Sequence, residues 1–118
     1  MIRFYGYDGC STCRKAKKIL AQRQVSFEDI DITKNPPPKN LLSAILASGA
    51  YMLSELFNRS GQLYRELNMK EKLKTMSEAE LLDLLAKHGR LVKRPLVTDG
   101  KTTTIGLDED RFGRAWCK

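Results

Sequence analysis

The feature that most constrains this chain is a pair of cysteines set between a strand pattern and a helix pattern. Met1 to Tyr5 is a short apolar run bounded by Gly6 and reads as a strand. Cys13 to Arg23 places Ala16, Ile19 and Leu20 at i, i+3 and i+4, the buried face of a helix. Between them, Gly9-Cys10-Ser11-Thr12-Cys13 carries a C-x-x-C spacing. Val25 to Ile32 then alternates like a second strand. A strand, a helix and a strand within about 30 residues form a βαβ unit, whose right-handed crossover makes the two strands parallel. Cys10 and Cys13 therefore fall at or near the first turn of the helix. Free backbone N–H groups and the positive end of the helix dipole favour an anion there. A thiolate is such an anion, and it is the nucleophilic form of cysteine. The pattern predicts a reactive thiol pair.

Length and composition limit what surrounds that pair. A chain of 118 residues with 42% hydrophobic content fits one domain, 1–118, with a real core. No run of about 18 apolar residues is present, so no membrane span is expected. Arg3 interrupts the N-terminal apolar run and Asp8 follows, which is not a signal-peptide pattern. A cytoplasmic location is the expectation. Three cysteines, an odd number, argue against a structural disulfide framework. A zinc site needs about four ligands, and only Cys117 and His88, far apart in sequence, could complete one, so no metal is expected. Cys117 reads as an incidental exposed thiol, and His88 as a cation at a helix C-terminus. The net charge of +7 is spread over Arg14, Lys15, Lys17 and Lys18, over Lys70, Lys72 and Lys74, and over Lys87, Arg90, Lys93 and Arg94. No aromatic residues interleave with these charges as a stacking platform requires, so the reading is a solvated basic surface rather than a DNA-binding face.

The rest of the chain reads as a helical stretch followed by a return to strands. Pro36-Pro37-Pro38 removes three backbone donors and marks a rigid connector. Asn40 to Ala47 is a helix stopped by Gly49, Met52 to Phe57 a short helix, Asn58 to Gly61 a turn, and Leu63 to Leu67 a helical turn ending near Asn68. Ser77 to His88 is the strongest helix, with Ser77 as N-cap, Glu80 as its capping-box partner and Gly89 as terminator. Leu96 to Thr98 and Thr102 to Ile105 flank a turn at Asp99-Gly100. Asp108 caps a last helix to Trp116, with Phe112 and Trp116 packing inward at i, i+4.

A βαβ unit with C-x-x-C at the helix start, followed later by a hairpin and a helix, resembles the thioredoxin/glutaredoxin architecture. Residues 1 to 116 resemble the ArsC/Spx family, the glutaredoxin-like arsenate reductases and the Spx-type regulators. The carrying residues are Gly9-Cys10-Ser11-Thr12-Cys13-Arg14-Lys15-Ala16, Asn58-Arg59-Ser60-Gly61 with Tyr64 and Leu67-Asn68, and Lys93-Arg94-Pro95-Leu96-Val97 with Gly106 and Asp108-Glu109. The resemblance implies an α/β fold with a four-stranded mixed sheet, a core of 1–35 and 90–118, and a helical insert of 36–89 between strands two and three. It implies a cis proline at Pro95, Cys10 as nucleophile, and Arg94 beside it as stabiliser of a thiolate and fork for an oxyanion. Arg59, Arg94 and Pro95 are the implied substrate-binding residues, and no cofactor is implied. Two departures matter. Asn58 and Leu107 stand where arsenate reductases are expected to place further arginines, and Cys13 supplies a resolving thiol that glutaredoxin-dependent reductases lack. Two functions stay open: an arsenate-reductase-like thiol–disulfide oxidoreductase, and a redox-sensing regulator that binds RNA polymerase through its α subunit. The oxidoreductase would be restored by thioredoxin, glutaredoxin or a low-molecular-weight thiol.

Overall fold

A computed structural model describes residues 1–117; Lys118, the last residue of the expected core, lies outside the described residues. The elements run β1 (Ile2–Gly6), α1 (Ser11–Gln22), β2 (Phe27–Asp31), α2 (Lys39–Ala47), α3 (Gln62–Glu66), α4 (Met69–Thr75), α5 (Glu78–Lys87), β3 (Leu96–Thr98), β4 (Thr103–Ile105) and α6 (Glu109–Trp116), with 3₁₀ turns at Leu53–Leu56 and Gly89–Leu91. One sheet has the order β2-β1-β3-β4. β1 pairs parallel with β2 and antiparallel with β3, and β3 pairs antiparallel with β4. This is the expected mixed four-stranded α/β fold, with helices inserted between its second and third strands.

The chain divides into two compact units. One combines Met1–Asp31 with the chain from Arg94 onward; the other is Ile32–Lys93. In the first, Phe4, Cys13, Ala16, Leu20, Val97, Phe112 and Trp116 form a buried cluster. Strand and helix periodicity put these residues there: Phe4 and Val97 are register partners on β1 and β3, and Cys13, Ala16 and Leu20 share one face of α1. Trp116 is buried on α6, and its indole N–H donates to the Thr104 hydroxyl at 2.8 Å, so its polar atom is satisfied. No helix among the described residues is long and apolar enough to cross a membrane.

The second unit follows its helix signals closely. Ser77 Oγ accepts from the Glu80 N–H at 3.2 Å, and the Glu80 carboxylate accepts from the Ser77 N–H at 3.1 Å, closing the capping box. The Ser77 N–H and, at 2.9 Å, the Ser77 hydroxyl donate to the Glu80 carboxylate and hold it below its ordinary value. Leu81, Leu82 and Leu85 are buried on α5, as are Leu42 and Ile45 on α2, which contacts it. Gly49 follows α2 with φ of +77°, the left-handed conformation that suits glycine.

Four readings need correction. α1 begins at Ser11 rather than Cys13, because Cys10 itself caps it. β2 pairs only from Phe27, because Gln24 takes a left-handed φ of 57° and Val25 turns back to hydrogen-bond Leu20. Thr102 belongs to the hairpin turn, where its N–H donates to the Asp99 carboxylate at 2.7 Å. Gly89 is not a left-handed helix terminator. It opens a 3₁₀ turn, and a Cβ there would lie 1.7 Å from the Ile32 carbonyl oxygen, so close backbone approach is what requires glycine. α4 was not anticipated: Lys70, Glu71, Lys72 and Lys74 leave too few apolar positions to show a period.

Candidate functional site

The site is built at the junction of β1 and α1. The chain leaves β1 at Gly6, turns through Tyr7 to Gly9, and enters α1 with Cys10 as N-cap. The Cys10 N–H donates to the Tyr7 carbonyl at 3.2 Å, and the Arg14 guanidinium donates to the Asp8 carbonyl at 2.7 Å. These bonds fix the turn from both ends. Cys10 Sγ accepts from the Cys13 N–H at 3.2 Å, in the place a serine or aspartate oxygen usually takes at a helix start.

The two thiols differ sharply. Cys10 is half-buried, whereas Cys13 is 0% exposed and belongs to the core cluster. Gly6 makes room for it, since a Cβ at that position would lie 2.8 Å from Cys13 Sγ. Burial pushes the Cys13 thiol up from 9.0 to about 12. A hydrogen bond with the Cys10 sulfur and the charge of Cys10 act in the same direction; a hydrogen bond from the Tyr7 backbone and the charge of Arg94 act against it. Cys13 is thus a neutral thiol held behind Cys10, and both sulfurs are unbridged.

Arg94 and Pro95 enter from the other end of the same unit. They are joined by a cis peptide bond, and the Pro95 carbonyl accepts from the Gly106 N–H at 2.9 Å. The Arg94 guanidinium lies over the Tyr7 ring, 4.5 Å from its centroid. Among the described residues no carboxylate pairs with it. A cation–π contact takes up no carboxylate, so the guanidinium keeps N–H groups for an acceptor.

Arg59 is exposed in the Ile32–Lys93 unit and lines a cleft of about 240 Å³ with Glu55, Phe57, Asn58, Ser60 and Lys93. Leu107 packs against the core cluster and offers no cation. Cys117 is half-buried against the same cluster rather than fully exposed. His88 is the C-cap of α5, consistent with its reading as a helix-end residue. Among the described residues no group of His, Cys, Asp and Glu is arranged to hold a metal. Sequence reasoning passed over Tyr7 and Gly6. Their proximity to the C-x-x-C was the available signal, but ring stacking on a residue 87 positions away has no sequence signature.

The description ArsC family fits a model that matches residues 5–115. The Bacillus subtilis protein YusI is 49% identical over 115 residues, 98% of each chain. The global transcriptional regulator Spx of Streptococcus pyogenes is 27% identical over 112 residues, 95% of this chain and 82% of its own. A structure described as a possible arsenate reductase from Streptococcus mutans superimposes with a TM-score of 0.86 at 44% identity, covering 92% of each chain.

Proposed function

The chain belongs to the ArsC family, and from that premise we propose that it is an arsenate-reductase-like thiol–disulfide oxidoreductase with Cys10 as nucleophile, Cys13 as resolving thiol and Arg94 as electrostatic stabiliser. The observation that carries this reading is the asymmetry of the pair. Cys10 reaches the surface at a helix N-cap, while Cys13 is buried one turn on with its N–H 3.2 Å from Cys10 Sγ.

The chemistry runs in two displacements. The Cys10 thiolate attacks one sulfur of a substrate disulfide, a new S–S bond forms, and the other sulfur leaves as a thiolate. Cys13 then gives up its proton and attacks Cys10 Sγ, forming the Cys10–Cys13 disulfide and expelling the second substrate thiol. The substrate gains two electrons and the protein loses two. A dithiol protein such as thioredoxin, glutaredoxin, or two equivalents of a small thiol returns them. Cys13 is held protonated by burial, by its hydrogen bond with Cys10 and by the charge of Cys10. Once Cys10 is bonded to substrate sulfur, the charge is gone and the hydrogen bond weakened, so Cys13 becomes easier to deprotonate when its turn comes. With an oxyanion such as arsenate as oxidant, Arg94 and Pro95 would meet the substrate; Asn58 and Leu107 in place of arginines weaken that version.

Those two replacements, and the likeness to Spx over 95% of the chain, favour a second reading. In it the Cys10–Cys13 disulfide shifts the population between two conformations and tunes binding to the RNA polymerase α subunit. Oxidation followed by mass spectrometry tests what both readings share: one intramolecular disulfide, lost in Cys10→Ser and in Cys13→Ser. Cysteines that stay unmodified sink both. Arsenate-dependent consumption of reductant, with thioredoxin or glutaredoxin supplied, supports the enzyme; redox-dependent capture of the α subunit supports the regulator.

A further inference from the structure

We propose that Tyr7 is a positioning residue for the thiol site, its ring holding the Arg94 guanidinium while its main chain fixes Cys10. The inference rests on Cys10 being the nucleophile. Two contacts of one residue carry it. The Tyr7 carbonyl accepts from the Cys10 N–H at 3.2 Å. The ring lies under Arg94 at 4.5 Å.

The ring also has its place prepared. A Cβ on Gly9 would lie 2.8 Å from Tyr7 Cε2, so glycine at that position leaves the space the ring edge occupies. A free arginine side chain samples many rotamers, and a planar aromatic face removes much of that freedom. Cation–π attraction holds the guanidinium plane without using its N–H groups. An incoming anionic group therefore meets a guanidinium held over the Tyr7 ring, with no carboxylate partner among the described residues. Only the ring face is needed, so phenylalanine should serve and leucine should not.

The test uses the full chain carrying Cys13→Ser and Cys117→Ser, in which Cys10 is the single thiol. Its second-order rate is measured with an anionic aromatic disulfide, 5,5′-dithiobis(2-nitrobenzoate), and with a neutral one, 2,2′-dithiodipyridine. The ratio of the two rates reads the cation felt by the incoming reagent. Arg94→Met should lower the ratio. Tyr7→Leu should lower it about fivefold, the range of a cation–π contact, and Tyr7→Phe should keep it within about twofold. Gly9→Ala, which crowds the ring from below its edge, should lower the ratio without removing any functional group. With Arg94→Met already present, Tyr7→Leu should change nothing further. A ratio unmoved by both Tyr7→Leu and Gly9→Ala overturns the role of Tyr7, and so does an equal fall when Arg94 is absent. A Cys10 no faster than free cysteine with either reagent overturns the nucleophile assignment instead.

Discussion

The buried thiol makes stability depend on pH in a direction that can be worked out beforehand. Unfolded, Cys13 loses its proton near its ordinary value of 9.0; folded, it keeps the proton up to about 12. Between those values the unfolded state binds fewer protons than the native state, so stability falls as pH rises. Below the lower value both states hold the proton and this group contributes no slope. The full span corresponds to about 4 kcal/mol, and at about pH 10.5 roughly 2 kcal/mol should already be lost. The assay is urea unfolding of the reduced protein at a series of pH values from about 8 to 10.5, for the parent and for Cys13→Ala. Alanine removes the titrating group; the small void it leaves lowers the curve at every pH without changing its slope. Every ionisable group outside the Cys10–Cys13 pair is present in both proteins and cancels in the difference. The parent should therefore lose stability more steeply than Cys13→Ala, and the two curves should converge toward high pH. Parallel curves would refute the reasoning, because they would mean that Cys13 is not held neutral by the fold.

Three further outcomes follow from the packing. Ser77→Ala removes the acceptor that closes the α5 capping box and should cost about 1 kcal/mol by urea titration. Gly89→Ala sets a methyl group 1.7 Å from the Ile32 carbonyl oxygen; backbone must move, and thermal melting should report a loss of about 3 kcal/mol or more. Trp116→Phe strands the Thr104 hydroxyl that accepts its indole N–H at 2.8 Å and should cost about 2 kcal/mol. Thr104→Val in that background should cost much less than in the parent, because it removes a group already without its partner.

Much of the fold was legible because local signals and burial agree. The capping box at Ser77 and Glu80, the Asp99-Gly100 turn and the Asp108 cap each depend on residues within four positions of one another. The resemblance alone suggested a place by the C-x-x-C for Arg94-Pro95; the structure sets Arg94 over Tyr7, in the turn that leads into that motif. No local rule connects two segments that lie so far apart in the chain. What stayed hidden has two physical causes. α4 is mostly charged and carries no apolar period, so it could not be told from a solvated loop. Gly6, Gly9 and Gly89 each make room for an atom contributed by another residue: the Cys13 sulfur, the Tyr7 ring and the Ile32 carbonyl. A glycine in a sequence announces that space is needed, not what fills it.

Cys10 Sγ is both the proposed reacting atom and the acceptor that closes the first turn of α1. The choice of inactive variant therefore matters. Serine at position 10 abolishes the thiol yet supplies a hydroxyl among the best helix caps. Cys10→Ser should begin its helix at least as firmly as the parent, and any loss of turnover in it is a loss of chemistry. Alanine at the same position discards nucleophile and cap together, so its phenotype mixes catalysis with a loosened helix end. Alkylation of the sulfur does likewise: a reagent that reports on reactivity also disturbs the structure it reports from.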